Sequence, residues 1–177
     1  MKKNLVLTGM MGVGKSTIGK VLANKLKLKF IDIDRIIEKK EKNTIREIFR
    51  IKSEYYFRRI EKKTTLDILR KNNLVVALGG GAFIDKAIRK EVKNTSISFW
   101  LDLSINYLLP RLKNVRKRPL LNQDNFEETI NKIYSERKKI YNESNFRIRC
   151  NLMEKKEIVN KIIESYETAR DKNQLSK

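Results

Sequence analysis

The chain has 177 residues, 40% of them hydrophobic, and a formal net charge of +20 at pH 7. Its single cysteine, Cys150, excludes an internal disulfide and a thiolate metal cluster, and the absence of histidine excludes the commonest general base of enzymes. No apolar run approaches membrane-spanning length and no signal-peptide pattern is present, so we expect one cytoplasmic domain without membrane contacts.

The positive charge is spread along the whole chain. Lysine pairs recur from Lys39-Lys40 to Lys155-Lys156, with a spacing typical of solvated helix faces. A nucleic-acid-binding segment would instead concentrate its basic residues in one arm or interleave them with aromatic residues. We therefore expect no specific nucleic-acid partner, while anionic substrates are attracted.

The first elements in chain order are a short strand, a glycine-rich loop and a helix. Strand Asn4 to Thr8 precedes Gly9-Met10-Met11-Gly12-Val13-Gly14-Lys15-Ser16-Thr17, and helix Lys15 to Leu26 follows. In such a loop, backbone N–H groups and the positive end of the helix surround a phosphate. Lys15 can reach the β- and γ-phosphates, and the Ser16 hydroxyl can hold Mg²⁺. The sequence predicts a nucleoside triphosphate ligand bound by Gly12, Val13, Gly14, Lys15, Ser16 and Thr17.

Two carboxylates follow the second predicted strand, Lys29 to Ile31. If the extended geometry continues, Asp32 and Asp34 face one side of the chain and Ile33 faces the core. One carboxylate could bind Mg²⁺, directly or through water, and the other could accept a hydrogen bond from a substrate hydroxyl. The competing interpretation is that one of them only caps the helix near Ile36. We favour the functional interpretation for the pair.

Next come a helix and a third strand that ends in glycines. Helix Glu54 to Arg70 carries Arg58 and Arg59, and guanidinium groups suit bidentate binding of a carboxylate. Strand Leu74 to Leu78 is followed by Gly79-Gly80-Gly81, a run that allows a ligand to approach the main chain closely. An ordinary connection to a helix from Ile84 to Arg89 is the alternative.

The second half of the chain repeats the alternation. Its predicted elements are strand Ile97 to Leu101, helix Ile105 to Leu112, helix Glu127 to Tyr141 with Arg137, strand Phe146 to Cys150, and helix Lys156 to Thr168. The basic segment 113–125 fits neither pattern. It could be a lid that brings an arginine to the phosphoryl group, or an ordinary exposed loop.

Strand and helix alternation of this kind predicts an α/β fold with a parallel sheet covered on both faces. Ligands of such folds gather at the carboxyl ends of the strands. The glycine-rich loop, the two aspartates and the glycine run would all lie at that edge.

Taken together, the motifs resemble the shikimate kinases, small P-loop kinases of the nucleoside-monophosphate-kinase type. The resemblance covers nearly the whole chain and rests on these segments: Gly9 to Thr17, Asp32-Ile33-Asp34, Phe57-Arg58-Arg59-Ile60-Glu61, Gly79-Gly80-Gly81, Arg118-Pro119-Leu120-Leu121 and Arg137-Lys138-Lys139-Ile140-Tyr141. It implies a three-layer fold with a five-stranded parallel sheet. It also implies one kinase domain over residues 1–170, with a substrate-binding region at 33–61, a lid at 113–125 and a polar tail at 171–177.

The resemblance implies ATP-dependent phosphorylation of the 3-hydroxyl of shikimate, on the pathway to chorismate and the aromatic amino acids, by a monomeric enzyme. On the nucleotide side, Lys15 would hold the β- and γ-phosphates, and Ser16 with Asp32 would position Mg²⁺. Arg118 would approach the γ-phosphate from the lid, and Arg111 would lie near the adenine.

On the acceptor side, the resemblance implies that Asp34 takes the proton of the substrate hydroxyl. Arg58 and Arg137 would bind the substrate carboxylate, and Gly79, Gly80 and Gly81 would offer backbone contacts to the ring hydroxyls. The rival functions are a gluconate kinase or nucleotide kinase of the same fold, and a nucleotide-binding regulator without catalysis.

Overall fold

The computed structural model describes residues 3–113 and 125–175 of the chain. Within these ranges lie five strands: β1 (Asn4–Thr8), β2 (Lys29–Asp32), β3 (Leu74–Ala77), β4 (Ser96–Asp102) and β5 (Phe146–Arg149). They form one parallel sheet in the order β2-β3-β1-β4-β5. The predicted five-stranded parallel sheet is confirmed.

Helices flank this sheet. They are α1 (Lys15–Leu26), α2 (Ile33–Glu41), α3 (Ile45–Lys52), α4 (Glu54–Leu69), α5 (Lys86–Thr95), α6 (Ile105–Lys113), α7 (Phe126–Tyr141) and α8 (Lys155–Leu175), with a 3₁₀ turn at Ala82–Ile84. Every residue of β1, β3 and β4 is buried. Because successive strand residues point to opposite faces, the helices must cover both faces of the sheet.

One helix escaped the sequence analysis. Helix α3 has eight residues and begins with a capping box, in which Thr44 and Glu47 each bind the other's backbone N–H. Ile48 is fully buried and Ile45 and Phe49 pack beside it against the core, so the apolar stripe is regular but spans little more than one turn. The spacing of Thr44 and Glu47 was the signal that could have revealed it.

Several element ends also differ from the expectation; helix α5, for example, was expected from Ile84 to Arg89 and lies at Lys86–Thr95. Strand β2 ends at Asp32 and α2 begins at Ile33. Helix α8 continues past Thr168 to Leu175, within the segment predicted as a polar tail. Across the part of the chain that the structure describes, no helix combines the length and apolar character needed to cross a bilayer.

The sheet order places three loops side by side. Ala77 at the end of β3 pairs with Leu7 of β1 on one side and with Asp32 of β2 on the other. The three strands therefore end at one level, and the loops that follow them share one edge of the sheet. This is the edge where ligands bind in parallel α/β folds.

Candidate active site

The loop between β1 and α1 has the backbone of a phosphate-binding loop. Gly9, Gly12 and Gly14 have φ values of +130°, +80° and +99°, a region that favours glycine. A Cβ on Gly9 would also lie 2.6 Å from the carbonyl oxygen of Leu101. The loop is therefore shaped by glycines and leads directly into the N-terminus of α1, where backbone N–H groups favour an anion.

Lys15 lies over this loop. Its Nζ donates hydrogen bonds to the carbonyl oxygens of Gly9 at 2.8 Å and Met10 at 2.9 Å. The side chain is largely buried, so the ammonium group is held at the loop rather than in solvent. This places a positive charge beside the N–H groups that would surround a phosphate.

Ser16 and Asp32 meet at the same edge. Ser16 Oγ donates a hydrogen bond to Asp32 Oδ2 at 2.5 Å, and the other carboxylate oxygen accepts from the N–H of Arg35 at 3.3 Å. Asp32 is therefore also the N-cap of α2. The two interpretations of this residue are compatible, because each uses a different carboxylate oxygen.

Asp34 reaches the site for a different reason from the one we expected. The extended geometry ends at Asp32, so Asp34 lies in the first turn of α2 instead of on a strand. Ile33 is fully buried, as predicted. The helical turn brings Asp34 to the glycine turn, where a Cβ on Gly79 would lie 2.7 Å from its Oδ1.

Arg58 is held by two carboxylates of its own helix. Its Nη1 lies 2.7 Å from Oε2 of Glu61 and its Nη2 lies 3.1 Å from Oε1 of Glu54. A Cβ on Gly81 would lie 2.5 Å from Nη1, so the guanidinium packs directly on the glycine turn. These contacts fix the direction of Arg58 across the site.

Glu61 is a carboxylate that is only 2% exposed. Burial raises its pKa, the charge of Arg58 opposes this, and the charge of Asp34 adds to the rise. Its Oε1 has no hydrogen-bond partner among the described residues. A Cβ on Gly79 would collide with this same atom, so the turn is closely packed against Glu61.

The glycine turn is also bound by α7. Arg137 Nη1 donates to the carbonyl oxygen of Gly80 at 3.1 Å, and the hydroxyl of Tyr141 donates to the same oxygen. A Cβ on Gly80 would lie 3.1 Å from the backbone nitrogen of Met11. The turn therefore touches the phosphate-binding loop on one side and α7 on the other.

These groups line one open cavity of about 1180 Å³. Among the residues that line it are Gly12, Gly14, Lys15, Ser16, Thr17, Asp32, Asp34, Arg58, Glu61, Gly80, Gly81 and Arg137. Val13 is buried in the core and Gly79 lies behind the surface, between Asp34 and Glu61. The structure thus brings together, from five separate segments, most of the predicted site.

Comparison with known proteins decides the family. The family model for shikimate kinase matches residues 11–167. A shikimate kinase from Sulfurihydrogenibium is 44% identical over 161 residues, which are 91% of this chain and 96% of that protein. The chain belongs to the shikimate kinase family. A structure of shikimate kinase from Acinetobacter baumannii in complex with shikimate has a TM-score of 0.91 and 30% identity, and the match covers 96% of each chain.

Other kinases share the fold of this family member. A gluconokinase from Sinorhizobium meliloti superposes with a TM-score of 0.64 at 14% identity. At that identity the likeness concerns the fold alone. It agrees with the expectation that fold by itself does not separate shikimate kinases from gluconate kinases.

The structure places one predicted nucleotide-side residue elsewhere. Arg111 is exposed at the end of α6, outside this cavity, and its charge lowers the pKa of Cys150 against the larger effect of burial. It therefore lies near the turn between β5 and α8. Arg118 and almost all of the predicted lid at 113–125 lie outside the described residues.

Glu61 and Tyr141 also belong to this arrangement, although no role was predicted for either from the sequence. Each lies in a quoted motif, three residues after Arg58 and four residues after Arg137 respectively. Residues at these spacings share one face of a helix. That spacing was the signal that could have assigned them to the site.

Proposed function

We propose that this chain transfers the γ-phosphoryl group of ATP to the 3-hydroxyl of shikimate, giving shikimate 3-phosphate and ADP. One observation carries the proposal: the Lys15 loop, Asp34, Arg58 and Arg137 open into one cavity. Cationic, hydroxyl and carboxylate groups around one space suit an acceptor that is both an acid and an alcohol. Family membership supports the same reaction.

At the phosphate end, the loop and Lys15 bind the triphosphate. Phosphoryl transfer passes through a loose transition state, in which positioning and charge neutralisation supply most of the acceleration. Lys15 is held beside the loop by Gly9 and Met10, so its charge is in place before the transfer. Arg118 is proposed to add a second cation, and Arg111 to contact the adenine.

Ser16 and Asp32 would hold Mg²⁺. Their oxygens lie 2.5 Å apart at the phosphate end of the cavity. Hydroxyl and carboxylate oxygens are the ligands this ion takes from proteins, together with phosphates and water. When bound there, Mg²⁺ would neutralise phosphate charge.

At the acceptor end, Asp34 orients the hydroxyl and accepts its proton. The hydroxyl oxygen forms a bond to the γ-phosphorus, the bond from that phosphorus to the β–γ bridging oxygen breaks, and ADP leaves. A strong base is unnecessary because the proton is lost late in a loose transition state. A carboxylate can therefore do this work in a chain without histidine.

Arg58 and Arg137 bind the acceptor's carboxylate. Arg58 is oriented by Glu54 and Glu61, and Arg137 by the carbonyl of Gly80. Preorganised guanidinium groups lose less side-chain entropy when they bind an anion. Backbone groups of the glycine turn are proposed to contact the ring hydroxyls.

Coupled ATP turnover across a panel of acceptors tests this function. The panel contains shikimate, quinate, gluconate and nucleoside monophosphates, with no-acceptor and polynucleotide controls. We expect turnover with shikimate and little with the others. Faster turnover with gluconate or a nucleotide would overturn the assignment, and turnover stimulated by polynucleotide alone would indicate a different class of protein.

A further inference from the structure

The carbonyl oxygen of Gly80 is held by two side chains of one helix. Arg137 and Tyr141 lie one turn apart on α7, and both donate to this oxygen. Arg137 is one of the two proposed carboxylate-binding groups. One N–H group of Arg137 therefore binds the Gly80 carbonyl instead of the acceptor, and the Tyr141 hydroxyl donates a second hydrogen bond to the same oxygen.

We propose that Tyr141 is a positioning residue for the acceptor site: its hydroxyl fixes the Gly80 carbonyl, and this holds the glycine turn and the Arg137 guanidinium in their binding arrangement. The inference rests on the proposed function, since both groups act on the acceptor. Tyr141 itself does not line the cavity. It acts through Gly80 and Arg137.

The surroundings of Tyr141 suit this role. The residue is fully buried, its ring lies 6.0 Å from that of Trp100 between centroids, and Met10 Sδ lies 3.8 Å from its hydroxyl oxygen. Burial raises the pKa of Tyr141 to about 12, although the charge of Arg137 opposes the rise. The hydroxyl therefore remains a hydrogen-bond donor throughout the neutral pH range.

The packing of Gly80 explains why its carbonyl matters. A Cβ on Gly80 would make a tight contact with the backbone nitrogen of Met11, at 3.1 Å, so the turn packs closely against the phosphate-binding loop. On the other side, Gly81 packs against Arg58. Loss of the Tyr141 hydrogen bond would remove the second side-chain donor to the Gly80 carbonyl, which Arg137 would then bind without it while also binding the acceptor.

The variant Tyr141→Phe removes the hydroxyl and keeps the ring against Trp100. We expect KM and Kd for shikimate to rise about five- to tenfold, the effect of one hydrogen bond, with kcat changed less than twofold. The Kd for ATP measured without acceptor should stay within about twofold of the wild type. If Tyr141 only stabilised the fold, Tyr141→Phe would not weaken shikimate binding selectively over ATP binding.

Tyr166→Phe is the matched control. The Tyr166 hydroxyl is also buried and donates to a backbone carbonyl, that of Lys3, at 2.7 Å. Lys3 precedes β1, at the opposite edge of the sheet from the site. We expect a similar loss of melting temperature in both variants, but a changed KM for shikimate only in Tyr141→Phe.

A double-mutant cycle that combines Tyr141→Phe with Arg137→Ala gives a second test. Its result does not depend on the stability of Tyr141→Phe alone. If both side chains act through the Gly80 carbonyl, their effects on shikimate Kd will not be additive. Additive effects, or an equal change of KM in Tyr166→Phe, would overturn the inference and leave the proposed function intact. A wild-type protein that does not phosphorylate shikimate would instead remove the proposed function.

Discussion

Arg58 Nη1 lies 2.7 Å from Oε2 of Glu61, and this pair joins the proposed carboxylate-binding group to a carboxylate that is itself buried. Burial raises the pKa of Glu61 more than Arg58 lowers it. The folded protein therefore keeps a proton on Glu61 at pH values where the unfolded chain has lost it. Arg58 gains orientation from the pair, at a cost in folding free energy when Glu61 ionises.

Replacement of Glu61 by glutamine should change how stability depends on pH. As pH rises from the ordinary glutamate pKa of 4.5, the unfolded wild-type chain releases its Glu61 proton before the folded state does, so the wild type loses stability. A glutamine side chain does not titrate. The difference in melting temperature, wild type minus Glu61→Gln, should therefore fall as pH rises above 4.5. The same substitution at the exposed Glu136 is the control, and an equal trend there would argue against burial as the cause.

Asp34→Asn should abolish turnover and leave ATP binding largely intact. The amide keeps the shape of the side chain but cannot accept the hydroxyl proton, so we expect kcat to fall by roughly 10²–10⁴-fold. Initial rates with shikimate and calorimetric titration with ATP measure the two effects. Asp67→Asn, at an exposed position on α4, is the control. A normal kcat in Asp34→Asn would remove this residue from the mechanism.

Arg137→Ala should weaken acceptor binding far more than nucleotide binding. Loss of a charge-assisted hydrogen bond to a carboxylate is expected to raise the Kd for shikimate by about 10–100-fold. The exposed Arg70→Ala provides the control. Equal losses for shikimate and ATP would point to a distorted fold instead of a lost carboxylate contact.

Arg58→Ala should also weaken shikimate binding far more than ATP binding. In addition it should lower the stability of the protein, because it leaves the buried Glu61 without its guanidinium partner. The double variant Arg58→Ala/Glu61→Gln should recover part of the melting temperature without recovering shikimate binding. Both are measured by thermal unfolding and titration. Recovery of binding in the double variant would contradict a direct role for Arg58.

Cys150 should be unreactive in the folded protein. The thiol is 6% exposed, and burial raises its pKa to about 12. An exposed cysteine has a pKa near 8.5, so its thiolate fraction at pH 8 would be greater by roughly a thousandfold. We expect labelling by iodoacetamide to be slow in native protein and complete in denaturant. Because the chain has one cysteine, rapid native labelling would directly disprove this burial.

Local patterns in the sequence determined a large part of this protein. Short apolar runs and helical periodicity predicted the parallel sheet, and the loop from Gly9 to Thr17 predicted the nucleotide site. Each of these features can be recognised from residues that are close together in the chain. The motifs also carried the family resemblance. The short helix α3 was missed because its apolar stripe, Ile45, Ile48 and Phe49, spans little more than one helical turn.

The tertiary structure decided how the site is arranged. Strand order placed the ends of β1, β2 and β3 at one level, and the change from strand to helix at Ile33 turned Asp34 into the cavity. The contact of Tyr141 with Gly80 joins residues 61 positions apart. Such contacts, and the desolvation of Glu61, depend on how distant segments pack, which local patterns in the chain do not encode.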